Sequence, residues 1–202
     1  ANISGGIATF AGVKFVGTPG VSYALDFTSA TPNPSLTSVS SQPISVTHND
    51  ATQLVVTRAA AGGRSGEAFS TAPIVTIQDR YGNTVKTGPD ANRRITVTGD
   101  VTAPTVGSAS LSSASASASN GVATFYALTL TGSIANTYRL NFSIVGSSIT
   151  AASQSNLTIS YGYESQIAIT TQPVGGNATA THLTTQPVIE IRDSAGNLVA
   201  DS

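Results

Sequence analysis

The chain has 202 residues, enough for one or two domains with working cores, and its 9% charged residues fall far below the ~25% of an ordinary globular domain. Its apolar residues (40%) lie in short alternating runs, and none approaches the ~18 consecutive apolar residues of a membrane-spanning helix. A net charge of -1 offers no basic footprint for nucleic acid and no polybasic anchor, and the absence of cysteine excludes disulfides, thiolate metal sites and cysteine nucleophiles.

Taken in chain order, the first ~50 residues contain Gly6-Ile7-Ala8-Thr9-Phe10 and an alternating run, Tyr23-Ala24-Leu25-Asp26-Phe27. The stretch from 51 to 163 reads as seven short strands, near 53–58, 73–79, 93–98, 108–116, 121–130, 137–145 and 155–161. Turn chemistry separates them at Tyr81-Gly82-Asn83, Gly88-Pro89-Asp90, Asn120-Gly121 and Gly132. The Ser/Ala alternation of 109–119 reads as a weak edge strand or a loop. Beyond 164, Gln166-Ile167-Ala168-Ile169-Thr170 and Pro187-Val188-Ile189-Glu190-Ile191 read as two more strands. No segment carries the 3.6-residue period of a helix, so the chain is expected to be all-β and built from antiparallel sandwiches.

These segments repeat. Gly6-Ile7-Ala8-Thr9-Phe10 returns as Gly121-Val122-Ala123-Thr124-Phe125, followed in step by Leu128, Leu130, Gly132, Tyr138, Leu140 and Phe142 for Val13, Phe15, Gly17, Tyr23, Leu25 and Phe27. Gln53-Leu54-Val55-Val56-Thr57 returns as Gln166-Ile167-Ala168-Ile169-Thr170, and Gly62-Gly63 as Gly175-Gly176. Pro73-Ile74-Val75-Thr76-Ile77 returns as Pro187-Val188-Ile189-Glu190-Ile191, and Asp79, Gly82, Asn83 and Val85 as Asp193, Gly196, Asn197 and Val199. One unit of about 114 residues therefore divides the chain into a C-terminal part (1–50), a complete copy (51–163) and an N-terminal part (164–202). At Val75-Thr76-Ile77-Gln78 and Ile189-Glu190-Ile191-Arg192 the aliphatic positions persist while the alternate ones change, which predicts one face in the core and one in water.

The unit resembles the bacterial immunoglobulin-like tandem repeats of large cell-surface proteins, of the invasin and intimin kind and of giant adhesins. The resemblance rests on Thr171-Gln172-Pro173, the Asp-x-x-Gly-Asn turns at 79–83 and 193–197, Asn-Gly-Val-Ala-Thr-Phe at 120–125 and Tyr-x-Leu-x-Phe at 138–142, and it covers essentially the whole chain. It implies tandem immunoglobulin-like sandwiches of about seven strands, and a structural role in an extracellular fibre, stalk or surface layer. Its partners would be neighbouring repeats, or further copies assembling into a filament or lattice. The alternative is an adhesin module whose apical loops bind glycan or a partner protein. Lys14 and Lys86 are the only lysines, which together with the Ser/Thr-rich faces suits an extracellular bacterial surface protein. With no initiating Met, signal peptide or anchor, the chain is expected to be a window on a longer polypeptide, in preference to a subunit that exchanges strands with its neighbours. The short, aromatic linker Tyr161-Gly162-Tyr163-Glu164-Ser165 is expected to hold neighbouring repeats end to end.

Candidate sites are few. Asp79, Asn83, Asp193 and Asn197 offer oxygens to Ca²⁺, but one acid per turn falls short of the six to eight ligands calcium takes. The carboxylates are therefore expected to bond their own turn backbone, with Gly82 and Gly196 at positive φ, and no cofactor is expected. His48 and His182 occupy non-equivalent positions and no Gly-x-Ser-x-Gly elbow occurs, so no enzyme is expected. Lys14 has Thr129 as its counterpart, so the copies share no Lys–Asn isopeptide bond. Asn2, Asn141, Asn156 and Asn177 begin Asn-x-Ser/Thr triplets, open to glycosylation. Tyr23 and Tyr138 stand where a tyrosine corner forms, and Tyr161 and Tyr163 are expected to pack neighbouring repeats together.

Overall fold

The computed structural model describes residues 3–29, 36–104, 107, 109–176 and 182–200. Strands alone, with one short 3₁₀ turn at Pro89–Asn92, make up its regular structure. The chain divides into two compact units, Ala1–Asn49 and Asp50–Ser202.

Among the described residues the first unit contains three two-stranded ladders. β1 (Ile3–Ser4) pairs with β2 (Ile7–Ala8), β3 (Ser22–Tyr23) with β6 (Ile44–Ser45), and β4 (Asp26–Phe27) with β5 (Val39–Ser40), all antiparallel. Tyr23, Leu25 and Phe27 are half-buried while Ser22, Ala24 and Asp26 are exposed, the period of two that the sequence predicts.

In the second unit, β7 (Ala51–Arg58), β9 (Ile74–Asp79) and β13 (Val122–Thr124) form one sheet in the order β13-β9-β7. A second sheet has the order β12-β10-β15-β16, from β12 (Ser115–Ser117), β10 (Arg94–Ala103), β15 (Thr137–Ser143) and β16 (Ala152–Leu157). Both are antiparallel throughout. β11 (Ser110–Ser112) pairs with β14 (Thr129–Thr131), and β8 (Gly63–Arg64) runs parallel to β17 (Ile159–Ser160). Their apolar side chains form one core, with Leu54, Val75 and Ile77 from the first sheet and Ile95, Val97, Tyr138, Leu140 and Phe142 from the second. Phe125 meets Phe142 edge-on, with ring centroids 5.3 Å apart.

Several features differ from the sequence reading: the strands expected at 108–116 and 155–161 are each split between two ladders, and two more differences stand out. The strand expected over 121–130 is broken at 125–128, where Leu128 N–H turns back to Phe125 O, so its halves join different ladders. Thr76, expected to face water, is buried, because β9 is the middle strand of its sheet and Gln78 Nε2 lies on Thr76 Oγ1 at 3.1 Å. The 109–119 stretch, left open between edge strand and loop, holds β11 and β12, and β12 is an edge strand against β10.

The tail of the second unit forms a further ladder, β18 (Gln166–Thr171) with β19 (Val188–Arg192). Its register matches that of β7 with β9. Ile167 faces Ile191 as Leu54 faces Ile77, Ile169 faces Ile189 as Val56 faces Val75, and both ladders carry a bulge one residue later, before Thr171 and Arg58. The bridge Val174–Thr185 likewise matches Ala61–Thr71.

Because Phe142 is fully buried between two sheets, Phe142→Ala is expected to leave a cavity and cost about 3–5 kcal/mol, read as a lower midpoint in denaturant unfolding of the full chain.

Candidate functional site at the turn 193–197

β19 ends at a turn whose conformation is set locally. Asp193 N–H donates to Asn197 O at 2.9 Å, Gly196 N–H to Asp193 O at 3.0 Å, and Gly196 sits at φ 84°, a backbone region that a Cβ disfavours. Asp193 Oδ1 accepts the N–H groups of Ala195 and Asn197, both at 2.9 Å. The turn after β9 has the same construction: Asp79 Oδ1 accepts from Tyr81 and Asn83 N–H at 2.9 Å, and Asn83 Nδ2 donates to Asp79 Oδ2 at 3.1 Å. These are Asx-type turns of the kind the residue types predict.

What the sequence reading did not anticipate is that the turn 193–197 is seated on the body of its own unit. Asp193 Oδ2 accepts Gly162 N–H at 2.7 Å, across the linker, and Asn197 Nδ2 at 2.8 Å. Asn197 then reads a second backbone segment on both sides. Its Nδ2 donates to Gly132 O at 2.9 Å, and its Oδ1 accepts Ile134 N–H at 2.9 Å. Asp193, Asn197 and Val199 are all buried as a result. The only sequence signal for this seat is the recurrence of Asn83 and Asn197 together with Gly17 and Gly132.

Four N–H donors use the roughly four lone-pair directions that a carboxylate offers. A cation at Asp193 would have to displace them. Among the described residues, no group of three or more His, Asp or Glu side chains gathers in a way that would hold a metal ion. Burial by itself would raise the Asp193 pKa. The hydrogen bonds from the Asn197 side chain and from the Gly162, Asn197 and Ala195 N–H groups outweigh it and hold the carboxyl below its ordinary value.

The seat is built on Tyr138, which is fully buried and donates its hydroxyl to Ser133 O at 2.7 Å. Burial raises the phenol pKa against the opposing hydrogen bonds to Asn136 and Ser133, so the ring stays a neutral donor. A Cβ on Gly132 would lie 2.3 Å from Tyr138 Oη, so only glycine lets the backbone pass over the phenol. Ser65 Oγ braces the same residue, donating to Gly132 O at 3.1 Å and accepting Gly132 N–H at 3.2 Å. In the first unit Tyr23 makes a corner of the same span, with Thr18 N–H donating to its hydroxyl at 2.9 Å.

The remaining candidates are scattered. Arg64 places its guanidinium 5.8 Å from the Tyr161 ring and 4.7 Å from the Tyr163 ring. Tyr163 is thus largely exposed with a cation on its ring, where the sequence reading expected it packed between repeats. His48 Nδ1 lies 2.9 Å from Asn49 O, and His182 is exposed. Lys14 and Lys86 are exposed. Of the Asn-x-Ser/Thr triplets, Asn2 and Asn177 lie outside the described residues. Asn141 bonds Asp100, and Asn156 is exposed at φ 58° in the irregular end of β16. No helix among the described residues is long and apolar enough to cross a membrane.

No protein-family model matches the chain, and no curated protein matches it.

Removing the carboxylate strands four donors. Asp193→Ala is expected to cost the seat roughly 2–4 kcal/mol. Amide exchange over 164–200 should accelerate accordingly, while the core strands of 51–160 keep their protection. Because the folded-state pKa of Asp193 is depressed, its contribution is present above the unfolded value of ~3.9 and is lost as pH falls through the folded value. Exchange in the same segment should therefore rise in acid below about pH 4, in the wild type and not further in Asp193→Ala. Chelation with EDTA is expected to leave the melting temperature unchanged; a drop restored by Ca²⁺ would assign metal to these turns.

Proposed function

We propose that the chain is a structural segment of an extracellular bacterial surface fibre, stalk or surface layer, built from tandem immunoglobulin-like sandwiches whose junctions are locked by the Asp-x-x-Gly-Asn turn. The observation that carries this reading is the buried seat of the turn 193–197 on residues 132–134 and 162. It ties the beginning of one repeat to the end of the one before through backbone groups that any copy with the same glycines would present.

Strand order supports the sandwich type. Labelled along the chain, β7, β9, β10, β12, β13, β15 and β16 take the places A, B, C, C′, E, F and G, which gives sheets ABE and C′CFG. The matched registers of β7–β9 and β18–β19 support the repeat. A linker of about five residues, anchored by the hydrogen bond from Gly162, suits a stiff tether, the property a stalk requires.

Pulling the full chain by its ends tests the mechanical role. Unfolding of the complete repeat should appear as a discrete force peak releasing about 37–41 nm of contour, from ~113 residues at ~3.3–3.6 Å each. Featureless extension at low force would remove the stalk reading, and selective retention of the unmodified chain on a glycan array would favour the adhesin alternative.

A further inference from the structure

In residues 51–163, β7 is the edge strand of one sheet and β16 the edge strand of the other, and the chain ties these two edges together in three places. At the start of β7, Leu54 N–H donates to Thr150 O at 2.8 Å and Thr150 N–H donates to Thr52 O at 2.9 Å, which makes a parallel bridge. At the far end β8 runs parallel to β17, with Gly63 beside Ile159 and Arg64 beside Ser160, and Ser65 N–H donates to Ser160 O at 2.9 Å. Between these two, the crossing is made by a side chain. Gln154 Oε1 accepts Ala60 N–H at 2.7 Å, and Gln154 Nε2 donates to Ala60 O at 2.8 Å.

The position of Gln154 explains the residue type. It stands opposite Leu140 in the β15–β16 ladder, so its side chain leaves the sheet on the same face as that core residue. A polar group on that face must find partners, and Ala60 supplies both. Ala60 is buried, just beyond the bulge that ends the β7–β9 ladder. An amide presents a donor and an acceptor side by side, so it satisfies the N–H and the C=O of Ala60 together, as the backbone of a neighbouring strand would. A hydrocarbon of similar size would fill the space and strand both groups out of water.

The three crossings share a direction. Residues 52–65 run the same way as residues 150–160, so Thr52 and Ser160 lie at opposite ends of the pair. Tension between the two ends of the segment slides one strand along the other and loads the three rungs together. Pulling the strands apart from one end loads the rungs one after another. We propose that this parallel pair is the load-bearing element of residues 51–163, a zipper with the Gln154 amide as its middle rung, which sets the force at which the segment opens. The use of that resistance rests on the stalk reading above, whereas the resistance itself rests on the rungs.

Force spectroscopy on the full chain tests the zipper, with handles on introduced cysteines, since the protein has none of its own. Thr52→Cys with Glu164→Cys loads the pair in shear. Thr52→Cys with Val145→Cys peels it from one end, because Val145 lies in the turn that leads into Thr150. All three replaced residues are exposed. At a matched loading rate the rupture force is expected to be at least about twofold higher in shear than in peel, since forced unfolding reports the barrier to opening. Gln154→Leu should lower the shear force and bring that ratio toward one, with the peel force unchanged. Gln154→Glu, which keeps the acceptor for Ala60 N–H, should fall between. The comparison of the two directions needs no change at Gln154, so it decides the matter even where Gln154→Leu fails to fold. Equal forces in the two directions, or a loss in Gln154→Leu of the same proportion in both, overturns the proposal. Either result leaves the end-to-end force peak of the stalk reading standing, which only featureless extension removes.

Discussion

A sheet with one apolar face is stable only when that face is covered, and the structure follows from where the cover is present. Within residues 51–163 two sheets close on each other, and Tyr138, Phe142, Ile77, Ile95, Leu128, Leu130 and Leu140 lose essentially all contact with water. At roughly 25 cal/mol per Å² of apolar surface removed from water, this is the main favourable contribution in a chain with so few charges to pair. The ion pairs Arg93–Asp90 and Arg192–Glu190 are both partly exposed, where such pairs contribute little. The β18–β19 ladder keeps the register of β7–β9 without the same cover, so Ile167, Ile189 and Ile191 are exposed.

The junction obeys the complementary rule for polar groups. A carboxylate can leave water at modest cost only if each of its lone pairs finds a donor, and Asp193 finds four. Two come from its own turn backbone and one from Asn197, and the fourth arrives from Gly162 in the linker. Asn197 is the group that makes the turn specific, because an amide presents a donor and an acceptor side by side and so matches Gly132 O and Ile134 N–H together. The corner tyrosine sets the height of that backbone from below. Local turn, linker and corner therefore hold one another.

The all-β character, the alternation along β15 and the apolar residues of the core were legible in the sequence because the side-chain period of a strand is written into neighbouring residues. Tyr138, Leu140, Phe142, Val75 and Ile77 face inward as that period requires. The Asx turns were legible for the same reason, since Asp, Gly and Asn act there on backbone within four residues. The matched copies also exposed the two tyrosine corners. What failed was whatever depended on neighbours distant in sequence. Thr76 has the pattern of an outward residue but lies on a middle strand, and 121–130 has the pattern of one strand but serves two ladders.

By itself, then, the sequence determined the alternation along the strands and the turns between them, because each depends on residues a few positions apart. Only the tertiary structure decided which apolar faces are covered, and that the turn 193–197 is seated on Gly132, Ile134 and Gly162. Burial and long-range hydrogen bonding depend on what lies opposite, across gaps of 31 to 65 residues at this junction, and no local pattern encodes what lies opposite.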